Sequence, residues 1–221
     1  RSDPKARHAA MVLDAFMGAL TSGDSARARD ILEVLNTEGV DPAAIPFLTK
    51  YSMRLVAHLA ITEEVTITAP VDRDVLGLTL AELRQQAGEV DSAIQLVEGL
   101  TPSTVTAVSL AELYASRERW NDVIEITEGV DNEDDLSMYL LIQRGVAFRE
   151  KGHHEASRES LKKALSRKGR ADALRHLAHI ERGQTYMREN KKAMARKDFE
   201  RVMAENSAYP GLAGYLEAIG A

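Results

Sequence analysis

Apolar residues along this chain recur at helical spacing, and short Gly, Asp and Asn signals interrupt them roughly every 12 to 20 residues, a pattern that predicts antiparallel helix pairs joined by tight turns. The clearest pair runs from about Asp134 to Arg167. Its first helix carries Leu141, Gly145 and Phe148 on one face, the turn falls at Lys151, Gly152 and His153, and the second helix carries Ala156, Leu161, Ala164 and Leu165. A further pair, from about Arg170 to Asn206, has Gly183 and Tyr186, a turn at Glu189 and Asn190, then Ala195, Phe199 and Val202. Pro42 to Ala60 reads as an extra helix without a partner, and Thr66 to Asp72, β-branched and containing Pro70, as an extended connector. A break in the stacking is expected there. Tyr209 to Ile219 reads as a short terminal helix able to cover the last open face.

The pattern repeats. A small residue recurs at Ala81, Ala111, Gly145 and Gly183, at spacings of 30, 34 and 38. The second helices follow as Ala93/Val97/Leu100, Val123/Thr127/Val130, Ser157/Leu161/Ala164 and Ala195/Phe199/Val202. A small residue suits the point where two helices of a pair cross closely, and the later apolar positions bury the second helix against the first. In these residues the chain resembles the tetratricopeptide-repeat family, whose helix-turn-helix unit is 34 residues long. A divergent unit precedes them, with a turn at Ser22, Gly23 and Asp24 followed by Ala28, Leu32 and Leu35. Departures from the family pattern are Arg84 where an aromatic is usual, no turn Gly between Thr104 and Val130, and no closing Pro. The resemblance implies an all-α, right-handed superhelix of antiparallel helix pairs. Its expected parts are a divergent pair over 1–41, the extra helix and connector over 42–72, four repeats over 73–207 and a capping helix over 208–221.

Composition supports this and removes other classes. Of 221 residues, 44% are apolar and only 5% aromatic, with 6 prolines, which favours helix over sheet. There is no cysteine, so disulfides, thiol nucleophiles and thiolate metal sites are excluded. No stretch approaches the ~18 apolar residues of a membrane span. The chain starts with Arg1 and Ser2 and shows no basic-then-apolar leader, which reads as a fragment or processed form. A cytoplasmic location is expected, with the soluble part of a membrane-tethered protein as the alternative. The net charge of −6 conceals a dipole: residues 1–137 hold 11 basic and 24 acidic side chains, residues 138–221 hold 17 and 10.

Candidate chemistry is sparse. Asp172, His176 and His179 share a helix face and could offer a divalent metal one carboxylate and two imidazoles. Their register instead assigns His179 to a packing slot and Asp172 with His176 to an i, i+4 pair. His153 and His154 take turn and packing positions. The acidic run Asp131 to Asp135 precedes a helix and reads as an N-terminal cap; it lacks the ligand alternation of a calcium loop. No Gly-rich phosphate loop, nucleophile elbow or HExxH helix occurs. We therefore expect no catalytic residue, no metal and no cofactor. The basic side chains Lys162, Lys163, Arg167, Lys168, Lys191, Lys192, Arg196, Lys197 and Arg201 alternate with acidic ones and read as a solvated face. With no aromatic stacking platform beside them, nucleic acid is disfavoured.

In the resembled family the first helices of the repeats line the groove where partners dock. Carried onto this chain, the groove positions are Tyr139, Ile142, Gln143, Val146 and Arg149, then Leu177, Ile180, Glu181, Gln184, Met187 and Arg188. That set suits a peptide or amphipathic helix, with Tyr139, Arg149 and Arg188 as anchors; the alternative is that the chain's own N-terminal helices or its terminal helix fill the groove. Positions that grip a chaperone's C-terminal carboxylate in some members hold Val108, Glu112, Gln143, Leu177 and Glu181 here, so that clamp is absent. The expected function is a non-enzymatic protein-interaction scaffold. Two other readings are salt-sensitive head-to-tail self-association into a homo-oligomer, and an accessory domain of a larger enzyme.

Overall fold

Gly23, Gly88, Glu118, Gly152 and Asn190 all adopt left-handed backbone, with φ of 76°, 82°, 55°, 80° and 59°. At each, the following residue donates its N–H to the carbonyl five residues back at 2.8–2.9 Å, the bond that ends a helix and reverses the chain. The last four lie seven residues after Ala81, Ala111, Gly145 and Gly183, so the turns keep the spacings of the small residues. The pair without a turn Gly makes the same turn with Glu118, against the preference of a residue bearing a Cβ.

These turns come from a computed structural model that describes residues 4–51, 55–60, 62 and 65–220. Its contacts divide the chain into two units, Arg1–Leu113 and Tyr114–Ala221. The first contains α1 (Pro4–Leu13), which continues through a π-helical segment, Asp14–Ala19, and α2 (Ser25–Thr37). A 3-10 turn (Pro42–Ala44), α3 (Pro46–Tyr51), β1 (Val56–Ala60) and β2 (Thr66–Pro70) follow, then α4 (Arg73–Gln86), α5 (Val90–Glu98) and most of α6 (Thr104–Ser116). The second unit holds the end of α6, then α7 (Trp120–Ile126), α8 (Asp135–Glu150), α9 (His154–Ala164), α10 (Asp172–Arg188), α11 (Lys192–Glu205) and α12 (Leu212–Gly220).

Two expectations need correction. The helix anticipated from Pro42 to Ala60 ends by Tyr51; residues 52–54 lie outside the described residues, and Val56–Ala60 is a strand. It pairs antiparallel with Thr66–Pro70, with His58 opposite Thr68 and their side chains 2.8 Å apart. Ala57 and Leu59 are buried between exposed neighbours, so the local period is two and not 3.6. The stacking does not break at this insertion either. Helix α2 packs on α4 across it, with Arg84 donating to both carboxylate oxygens of Glu33 at 2.8 and 2.6 Å and Arg29 to Glu89 at 2.6 and 2.7 Å. Arg84, out of place as a repeat residue, is therefore the side chain that ties the divergent pair to the next one. Its partner Glu33 is held below the usual carboxylate range by that hydrogen bond.

In the second unit the crossings need small residues. A Cβ added to Gly145 would lie 2.6 Å from Leu161 Cγ, and one on Gly183 would press into the Phe199 ring. Phe199 and Leu161 are fully buried there. Burial of such side chains contributes about 2 kcal/mol each. The acidic run does cap α8: Asp134 accepts from the Ser137 amide at 2.8 Å while Ser137 Oγ accepts from the Asp134 amide at 2.8 Å. Next to it, Asn132 Nδ2 donates to the carbonyls of Lys163 and Ala164 at 3.1 and 2.6 Å, closing the C-terminal end of α9.

Candidate interaction surfaces

Helices α8 and α10 pack beside each other and carry the eleven expected groove positions, of which Glu181 is taken by Arg149. The structure divides these residues into three groups. Tyr139, Ile142, Ile180 and Arg149 are 2%, 0%, 2% and 8% exposed, so they do not offer surface to a partner. Tyr139 instead accepts a hydrogen bond from Gln143 Nε2 at 2.6 Å. Arg149 is an internal ion-pair residue: Nη1 reaches the Glu181 carboxylate at 2.5 Å and its carbonyl at 3.2 Å, and Nε reaches Glu150 at 2.9 Å. Burial works against its charge, but Glu181 and Glu150 outweigh it and raise the guanidinium pKa.

The second group is covered by the chain's own end. Helix α12 buries Leu212 and Ile219 in a cluster with Ile180, Ala195, Phe199 and Val202, and Met187 packs on that cluster with Tyr209, Tyr215 and Leu216. Gln184 Nε2 donates to Tyr215 Oη at 3.1 Å, and Tyr215 stacks on Phe199 at 5.2 Å between ring centres. The third group remains accessible. Gln143, Val146 and Leu177 are half-buried, and Arg188 is exposed, 3.7 Å from Glu150. Register tells which face a residue occupies but not whether the neighbouring helix closes over it.

The histidines resolve in the same way. His176 Nε2 lies 3.1 Å from Glu205 and His179 Nδ1 2.7 Å from Asp198, separate carboxylates on α11. Arg182 also binds Asp198, at 2.6 and 2.8 Å. Burial would push the Asp198 carboxyl up, but hydrogen bonds from Arg182 and His179 prevail and hold it below its usual range. Between α9, the loop from Ser166 to Gly169, α10 and α11 lies a cleft of about 680 Å³. Arg175 and Arg182 from α10 line it together with Lys162, Arg167, Lys168 and Arg201. The sequence shows these cations strung along α9, the loop after it, α10 and α11; only the packing of α9 and α11 about α10 brings them together.

The tetratricopeptide-repeat family model matches residues 139–170, the span from the second turn of α8 to the loop before α10. Among solved structures, the N-terminal domain of the EccA1 ATPase from the ESX-1 secretion system of Mycobacterium tuberculosis aligns with a TM-score of 0.64 at 15% identity, covering 96% of this chain and 89% of that one. A tetratricopeptide repeat protein from Parabacteroides merdae aligns with a TM-score of 0.55 at 13% identity, covering 96% and 86%. None of the curated proteins matches the chain in sequence. At these identities the structural likeness is one of fold. With a matched repeat at 139–170, helix pairs built on one recurring turn and two solved structures of like fold, this chain carries a tetratricopeptide repeat and has a tetratricopeptide-like helix-pair fold.

Proposed function

We propose that the chain is a non-enzymatic scaffold for protein–protein interaction and that it captures a peptide or amphipathic helix on the first-helix surface of α8 and α10. The observation that carries this is the accessible set on those helices: apolar Val146 and Leu177 with polar Gln143 and Arg188. Half-exposed apolar side chains beside hydrogen-bonding groups suit an amphipathic ligand. Buried Tyr139, Ile142, Arg149 and Ile180 then act as the rigid support of the surface, and Gln184 and Met187 as its border with α12. The test is capture of partners on the immobilised chain, with Val146→Asp/Leu177→Asp as the variant. Partners should be lost while the thermal melt is kept; capture unchanged in a folded variant would end this reading.

The likeness to the N-terminal domain of an ATPase favours a second reading, in which the chain is the accessory domain of a larger enzyme. Sequencing the gene on both sides of the segment decides it: a fused catalytic domain supports this reading, and its absence removes it.

A further inference from the structure

The basic cleft of the second unit carries a separate inference, because its charges are neither scattered nor mutually neutralised. Its volume of about 680 Å³ is that of a small-ligand site, yet six cationic side chains line it against one carboxylate, Glu205. Three of the six are engaged. Arg175 is ion-paired with Glu205 at 2.5 Å and Asp172 at 3.1 Å, Arg182 with Asp198 at 2.6 Å, and Lys162 lies 3.3 Å from exposed Glu159. Among the described residues, Arg167, Lys168 and Arg201 have no hydrogen-bond or ion-pair partner; Arg167 senses Asp131 only at longer range. The loop between α9 and α10 adds Gly169 at φ 79°, and the amides of Arg167, Lys168 and Gly169 donate to no backbone carbonyl.

Like charges gathered around a hollow repel one another, and the arrangement becomes favourable when an anion enters it. The donor set narrows the anion. Guanidinium forks and amide N–H groups match the several oxygens of a phosphate, whose double charge also exceeds that of a carboxylate. No Phe, Tyr or Trp lines the cleft, its one imidazole, His179, is buried against Asp198, and Leu165 is the one large apolar residue in its wall, so a nucleobase would find no exposed stacking platform. We propose that this cleft binds a phosphate group, held by Arg167, Lys168 and Arg201 with Lys162 and the loop amides in support. The group is carried either on a phosphorylated side chain of a partner or on a free polyphosphate-type anion.

Calorimetry on the whole chain at physiological salt tests this with four probes: tripolyphosphate, a phosphoserine peptide, its unphosphorylated twin and an oligothymidylate. Saturable binding of tripolyphosphate identifies the free anion as source; binding of the phosphopeptide without tripolyphosphate identifies a modified partner. Either should weaken by about tenfold in Arg201→Ala and more in Arg167→Ala/Lys168→Ala, as expected for charge-assisted hydrogen bonds. Lys192→Ala/Arg196→Ala, on α11 away from the cleft, should leave binding unchanged. Glu205→Gln removes the one lining carboxylate and should tighten binding severalfold, a gain that a purely structural role of these residues would not produce. Because Arg167, Lys168 and Arg201 support no other side chain, the variants should keep their thermal melts. The proposal is overturned if no phosphate probe binds, if the cleft variants bind like the parent, if the unphosphorylated peptide binds as well as its twin, or if the oligothymidylate binds more tightly than both tripolyphosphate and the phosphopeptide. None of these outcomes bears on Val146 or Leu177, so this site and the first-helix surface stand or fall separately.

Discussion

The pairs α4–α5 and α10–α11 make the same turn by different means and hold their neighbours by different chemistry. Gly88 and Asn190 occupy the same left-handed position. At the crossing α10 places Gly183 beneath the Phe199 ring, sixteen residues along the repeat, whereas the close glycine of α4 is Gly77, one helical turn before Ala81, and it meets Leu100 just past the end of α5. Laterally, α4 is tied to α2 by the half-exposed pair Arg84–Glu33, while Thr185 of α10 meets Ser157 of α9 in a fully buried hydroxyl pair 3.0 Å apart. The turn is thus the fixed part of this repeat. Beside that turn a glycine makes room for a large residue at more than one place: Gly183 for Phe199 on α11, Gly77 for Leu100 just past α5.

The sharpest way to break this comparison is to fill the tighter crossing. Gly183→Val puts a branched side chain where even a Cβ presses into Phe199, and should destabilise the chain by about 3 kcal/mol in urea melts. A similar loss from Ala81→Val would show that α4 and α5 cross as closely at Ala81. Next comes the buried carboxylate beneath the basic cleft. Asp198→Asn leaves Arg182 and His179 short of their charge partner and should cost about 2 kcal/mol at neutral pH. Because the folded pKa of Asp198 is depressed, its contribution is present above the unfolded value of about 3.9 and disappears as pH falls through the folded value. Acid melts below about pH 4 should therefore fall more steeply for the parent than for the variant. The smallest effect sharpens the claim about turns. Glu118 pays for left-handed backbone that Gly88 and Gly152 adopt freely, so Glu118→Gly should stabilise by about 0.5 kcal/mol, measurable as a raised melting temperature.

Helix pairs, turns and the small residues at 145 and 183 were legible in the sequence because each follows from local spacing and a local steric demand. The cap at Asp134 was legible for the same reason. The hairpin at 56–70 was not, since Ala57 and Leu59 alternate over only five residues and a pattern that short fits either period. Arg84 could be recognised as a misfit, but its partner Glu33 is 51 positions away and the pairing depends on how α2 meets α4. The expected groove positions do lie on the first helices α8 and α10; the closing of α12 over Met187 and Gln184, and the burial of Tyr139 and Ile142, are properties of packing. The same limit hid the cleft, whose cations are separated by up to 39 positions between Lys162 and Arg201.

The central functional claim is that α8 and α10 hold the partner surface, and hydrogen exchange of the full chain with and without a captured partner tests it most directly. The account predicts slowed exchange along 143–146 and 177–188, with residues of Arg1–Leu113 unchanged. Protection confined to Arg1–Leu113, or exchange on α8 and α10 that does not respond to the partner, would contradict it.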